Sequence, residues 1–81
     1  MLLCVDIGNT NITMGLYDRQ ELVTHWRLST DHHKMPDEYG MVLVGLLTYH
    51  GYRPDDVQGV SLASVVPPLT EVFRQMAGIY L

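Results

Sequence analysis

Three short runs with strand patterning crowd into residues 2–28, with almost no chain between them. Residues 2–7 read LLCVDI, apolar throughout except for Asp6. In the next run Ile12, Met14 and Leu16 alternate with Thr13, Gly15 and Tyr17. The third, Leu22–Leu28, puts Leu22, Trp26 and Leu28 on one face with Thr24 between them. The connections GNTN (8–11) and DRQ (18–20) are made of turn residues. Connections that short allow only antiparallel neighbours, because a parallel pair needs a crossover of a dozen or more residues. The chain is therefore predicted to open as a three-stranded antiparallel meander. The apolar continuity of the first run predicts a strand buried on both faces, with Asp6 as a charge inside it.

A polar loop over Ser29–Met35 follows. Pro36 suits the first position of a helix, and Asp37 and Glu38 favour its first turn through the helix dipole. Tyr39, Val42, Leu43, Leu46, Leu47 and His50 form a helical stripe, and Gly51 is placed as the C′ residue. Gly40 and Gly45 each weaken that helix by ~1 kcal/mol relative to Ala, which suits close packing on the sheet. RPDD (53–56) is a turn, and Val57–Val66 a fourth strand ended by Pro67 and Pro68. Leu69, Val72, Phe73, Met76, Ala77 and Tyr80 have the spacing of a second helix. The order β-β-β-α-β-α, with the fourth strand parallel to the first, predicts an α/β ribonuclease-H-like domain over residues 1–81. Its apolar ending, GIYL, predicts a first domain that lacks its last elements.

Composition removes several function classes. The chain is 47% hydrophobic and 17% charged, too little charge for a disordered chain. Its 81 residues can bury one core with little margin. A net charge of −4, with five Lys and Arg, offers no basic stripe for nucleic acid and no polybasic membrane patch. No apolar run approaches the ~18 residues of a spanning helix, and the first residues carry no basic signal-peptide region. Cys4 is the only cysteine, so an internal disulfide is impossible. A cytoplasmic protein with neither nucleic-acid nor membrane partners is expected.

Asp6 and the turn after it carry the chemistry. In structural terms, Gly-Asn between strands is an ordinary hairpin signal. In functional terms, a carboxylate in an apolar strand needs a partner, since burial without one costs several kcal/mol. At the C-terminal end of a central strand it could face Mg²⁺, which uses one or two carboxylates plus substrate phosphates. Gly8 would let the backbone approach a phosphate, and Asn9, Thr10 and Asn11 would supply donors. A ribonuclease-H-type nuclease would need several carboxylates for two metals. The fourth strand, with SLASVVPP at 61–68, has none, and Glu38 is the only acidic candidate from the first helix. The nuclease reading is therefore disfavoured.

Asp6, Gly8 and Thr10 match the Asp-x-Gly-x-Thr phosphate loop of the acetate kinase, sugar kinase, Hsp70 and actin superfamily. With DEYG at 37–40 and ASVVPPLT at 63–70 in the same order, the whole chain resembles the N-terminal part of type III pantothenate kinases, also called the Baf family. The resemblance implies an actin-like ATPase fold and ATP-dependent phosphorylation of pantothenate, the first step of coenzyme A synthesis. It also implies Mg²⁺, a monovalent cation (K⁺ or NH₄⁺) and a homodimer. Carried over residue by residue, the ATP phosphate loop falls on Asp6, Ile7, Gly8, Asn9, Thr10, Asn11, Ile12 and Thr13, with Asp6 organising the metal. Thr13 stands where many relatives have Lys, and Met35-Pro36 replaces a common Thr cap. The family's catalytic base lies in a Gly-Ala-Asp-Arg segment, which would fall beyond Leu81. No catalytic residue is thus expected in this chain, which on this reading is a kinase fragment unable to turn over alone. Two readings from other classes stand beside it. One is a non-catalytic regulatory or transcriptional accessory protein, and the other a structural domain that pairs through an unfinished sheet edge.

Other candidates have plainer readings. His32 and His33 are adjacent in a loop without a further ligand at zinc spacing. His25 and Arg27 fall on the solvated face opposite Trp26. His50 suits the C-terminal helix dipole. Cys4 reads as a buried small hydrophobe, Met14, Met35, Met41 and Met76 as gap-fillers or surface, and Asp55 and Asp56 as turn residues. Ser64, near the end of the fourth strand, lies where α/β ligands tend to sit, although a strand-end hydroxyl bonding to backbone is its structural reading.

Overall fold

A computed structural model describes residues 1–81. Strands β1 (Leu2–Ile7), β2 (Asn11–Asp18) and β3 (Glu21–Ser29) precede helix α1 (Pro36–Tyr49). A 3₁₀ turn (Pro54–Asp56), strand β4 (Gly59–Ser64) and helix α2 (Pro67–Tyr80) complete the chain. The sheet order is β3-β2-β1-β4. β1 pairs antiparallel with β2 and parallel with β4, and β2 pairs antiparallel with β3. The predicted α/β order and the parallel fourth strand are both present. β4 is shorter than predicted: Val57 and Val66 are buried but lie outside it. Pro67 and Pro68 open α2, where a missing N–H costs nothing.

The β2–β3 hairpin resolves a conflict of register. Its tight turn pairs Asp18 with Glu21 and places Arg19 at φ 59°. Continued without interruption, that register would set Trp26 opposite Thr13 and turn the indole outward. A bulge at Val23 shifts the pairing from Tyr17↔Leu22 to Leu16↔Thr24, so Trp26 pairs with Met14 and faces the core. Leu22 is left on the other face, 46% exposed, contrary to its predicted grouping with Trp26 and Leu28. The driving term is burial: an aromatic side chain outweighs one leucine in apolar area. The Trp26 indole N–H finds no acceptor, and the His50 ring covers the side chain at 5.5 Å.

The sheet is covered on one face only, which corrects the expectation for β1. Leu3, Val5 and Ile7 join Ile12, Met14 and Leu16 in a single core with Tyr39, Leu43 and Leu47 of α1 and Leu69, Phe73 and Met76 of α2. Both helices pack there, so the alternate residues of β1 remain open: Asp6 is exposed and Cys4 only half-buried. Asp6 therefore bears little of the desolvation cost expected for it.

The helix ends follow from local chemistry. At the start of α1 the Glu38 carboxylate accepts the Met35 N–H at 2.9 Å, while Glu38 N–H donates to the Met35 carbonyl at 3.0 Å. This supplies the cap that the Met35 side chain cannot. Gly51 adopts φ 86° and closes α1 as C′. Gly40 serves a helix contact and not the sheet: a Cβ there would overlap the Tyr80 ring of α2. Gly45 faces open space.

Candidate functional site

The β1–β2 connection presents its polar groups asymmetrically. Gly8 N–H donates to the Asn11 carbonyl at 2.9 Å, closing the turn. A Cβ on Gly8 would lie 3.0 Å from that same carbonyl oxygen, so glycine here serves closure of the loop itself. Thr30, just after β3, ties the loop from behind. Its hydroxyl donates to the Gly8 carbonyl at 2.7 Å, and its N–H donates to the Thr10 carbonyl at 2.9 Å. The carbonyls of Gly8, Thr10 and Asn11 are thus all engaged. The N–H groups of Asn9 and Thr10 donate to nothing in the fold, and both residues are exposed. The Asn9 carbonyl between them accepts no bond either; two free adjacent amides in an exposed turn are donors suited to an anion.

The helix N-termini offer no comparable display. In α2, Pro67 and Pro68 carry no N–H, and the N–H groups of Leu69 and Thr70 both donate to the Val66 carbonyl. In α1 the first turn holds Asp37 and Glu38, whose charge repels an anion. Ser64 spends its hydroxyl locally. It accepts from Val66 N–H at 3.0 Å and donates to the Val66 carbonyl at 3.1 Å, shaping the β4–α2 junction in agreement with its structural reading.

Next to the loop, one row of residues crosses the open face of the sheet. The register aligns Arg27, Thr13, Asp6 and Ala63 on β3, β2, β1 and β4. All four are exposed. The Asp6 carboxylate has no hydrogen-bond or ion-pair partner, nor does the Arg27 guanidinium. Asp6 and Thr13 also line a concavity of about 530 Å³, together with Cys4, Gly15, Tyr17, His25 and Ser61; Gly8 to Asn11 lie outside its lining. The side chains of Ile7 and Ile12 are fully buried in the core, so these two residues anchor the loop and offer it only backbone. Reading the strands singly put Arg27 on the solvated face but missed that it lies in one row with Thr13 and Asp6. Its alignment with Asp6 depends on the bulge, which hydrophobic alternation does not reveal.

His32 and His33 are exposed in a turn held by Asp31. There the His33 N–H bonds the Asp31 carboxylate at 2.9 Å and Lys34 lies 3.6 Å away. The His33 N–H, helped by the Lys34 charge, holds the Asp31 carboxyl below its usual range. Asp6 offers a carboxylate two residues before the loop's Gly8, and no group of three or more His, Cys, Asp or Glu side chains converges anywhere in the fold. A single carboxylate beside free amides fits a hydrated Mg²⁺ carried by a phosphate, which needs no all-protein cage. No helix is long and apolar enough to cross a membrane.

Residues 2–81 match the family model described as type III pantothenate kinase. The chain is 42% identical over 80 residues to a protein of that name from Listeria monocytogenes, covering 99% of this chain and 31% of the relative. A Brevibacillus brevis protein of the same name is 49% identical over 81 residues, covering all of this chain and 32% of the relative. One from Moorella thermoacetica is 50% identical over 76 residues, covering 94% and 30%. The chain thus spans about a third of the length of these relatives. With the family match running from residue 2 to residue 81, this chain belongs to the type III pantothenate kinase family.

Proposed function

We propose that the β1–β2 loop binds the phosphates of ATP and that Asp6 holds the accompanying Mg²⁺, as the phosphate-binding part of a kinase that phosphorylates pantothenate. The observation that carries this reading is the pair of free amides at Asn9 and Thr10 beside the unpartnered Asp6 carboxylate, in a chain of this family. Asn9, Thr10 and Asn11 add side-chain donors to the same phosphate oxygens. Thr13 replaces the positive charge common at that position in relatives, and Arg27, its register partner on the same face, is proposed to supply charge in its place. Mg²⁺ neutralises the phosphate oxygens when bound, while the loop orients them. A monovalent cation, K⁺ or NH₄⁺, and a homodimer belong to the proposal for the whole protein and rest on family membership.

Phosphoryl transfer requires both reactants to be positioned and the charge between them neutralised. Loop and Asp6 hold one reactant. The 81-residue chain is therefore proposed to bind MgATP without forming phosphopantothenate, and the regulatory reading gains no support from the site. Calorimetric titration with ATP, with and without Mg²⁺, tests the binding. Mg²⁺-dependent affinity that falls about tenfold in Asp6→Asn, a loss of ~1.4 kcal/mol, is expected. Affinity indifferent to both Mg²⁺ and Asp6 would contradict the reading. Clear phosphopantothenate formation by the chain alone would refute its incompetence.

A further inference from the structure

The loop that displays the amides is held from outside itself. Thr30 belongs to no phosphate-loop motif, yet it binds the carbonyls on both sides of Asn9: Gly8 through Oγ1 at 2.7 Å and Thr10 through its N–H at 2.9 Å. The next residue is fixed in turn. The Tyr39 hydroxyl donates to the Asp31 carbonyl at 2.7 Å and accepts the Asp31 N–H at 3.0 Å. Tyr39 is 2% exposed, and its ring packs on Phe73 at 4.7 Å. A continuous set of contacts thus runs from the loop through Thr30, Asp31 and Tyr39 to the core between α1 and α2.

This arrangement bears directly on binding. A carbonyl oxygen swung toward the anion would repel it and remove a donor from the display. Peptide groups rotate as units, so fixing the Gly8 carbonyl also fixes the Asn9 N–H across the same peptide bond. We infer that Thr30 is a positioning residue for the phosphate loop. Its hydroxyl locks the Gly8–Asn9 peptide with the amide facing the ligand, and Tyr39 anchors the strap to the core. This inference rests on the loop being a phosphate site, and it assigns to that site two residues that do not touch the ligand.

The test compares Thr30→Val, which keeps the shape and loses the hydroxyl, with Thr30→Ser, which restores it, and Tyr39→Phe, which keeps the ring. MgATP affinity is measured for each by calorimetry, with inorganic tripolyphosphate as a second probe and thermal unfolding as the control for folding. Thr30→Val is expected to weaken both ligands about tenfold, the loss of one hydrogen bond, and Tyr39→Phe to weaken them less. Thr30→Ser should stay within about twofold of the parent. A purely structural role would lower the unfolding temperature and leave affinity unchanged in the folded fraction. Thr30→Val binding as tightly as the parent overturns the strap, and so does equal loss in Thr30→Val and Thr30→Ser. A parent chain that binds neither probe overturns the phosphate-site reading and the strap with it.

Discussion

The ring of Tyr80, at the end of α2, lies directly on Gly40 in the first turns of α1, and its hydroxyl donates to Asp37 Oδ1 at 2.6 Å. One residue thus closes the two helices over the core by a ring contact that glycine permits and a hydrogen bond that the Asp37 carboxylate accepts. Of the four residues in DEYG, the first bonds Tyr80, the second caps α1, the third anchors the strap behind the loop and the fourth seats the Tyr80 ring.

Glycine-to-alanine substitutions in α1 should therefore diverge in sign. Gly40→Ala must displace the Tyr80 ring and is expected to destabilise by about 1–3 kcal/mol, the usual cost of overpacking. Gly45→Ala meets open space and should stabilise by up to ~1 kcal/mol through helix propensity. Urea midpoints for the two variants check this, and a shift of the same sign in both would refute the packing account.

The Tyr80–Asp37 bond also sets an alkaline limit. The hydrogen bond to Asp37, with burial and the Asp37 charge adding to it, raises the Tyr80 pKa above the ordinary value of 10.0. The unfolded chain then loses its phenolic proton first. The contribution to stability is complete below the ordinary value and disappears as pH rises through the raised one. Stability of the parent should fall across that alkaline window, and Tyr80→Phe should flatten this part of the curve. An unchanged alkaline slope in Tyr80→Phe would assign it to another group.

At the acid end Asp31 acts with the opposite sign. Its carboxyl is held below the usual value of 3.8, first by the His33 N–H and then by Lys34. Its contribution is present above the ordinary carboxylate range and is lost as pH falls through the lowered value. The carboxyl carbon of Asp31, followed by NMR, should titrate below that of an unpaired aspartate. Lys34→Ala should move it part of the way back, leaving the larger effect of the His33 N–H in place.

Arg19 occupies the tight β2–β3 turn at φ 59°, a region that disfavours L side chains by about 1–2 kcal/mol. Glycine relieves that cost but loses about 0.5–1 kcal/mol of chain entropy on folding. Arg19→Gly is expected to raise stability by about 0.5–1 kcal/mol. A lower denaturation midpoint would show that the Arg19 side chain contributes more than its backbone strain costs.

Element order was legible because short polar connections dictate antiparallel neighbours and because apolar spacing changes from two to between three and four at Pro36. The Val23 bulge was not legible. Alternation alone kept Leu22 with Trp26, whereas the tight turn and the indole set competing registers that only a bulge reconciles. The open face was missed for a related reason. LLCVDI is apolar enough for burial on both sides, and nothing local says that both helices choose the same side. In the candidate site, Asp6 through Thr13 could be read as one stretch. Arg27 and Thr30 reach it through strand register and long-range hydrogen bonds, neither of which leaves a motif.

The amides of Asn9 and Thr10 test the central claim most directly. In a ¹⁵N-labelled 81-residue chain titrated with MgATP, these two signals should move furthest and toward lower field, with Gly8 following. Adenosine without phosphates should leave them in place. If MgATP leaves the Asn9 and Thr10 amides unmoved, or shifts only residues lining the open sheet face such as Tyr17 and His25, the loop does not bind phosphate and the account is contradicted.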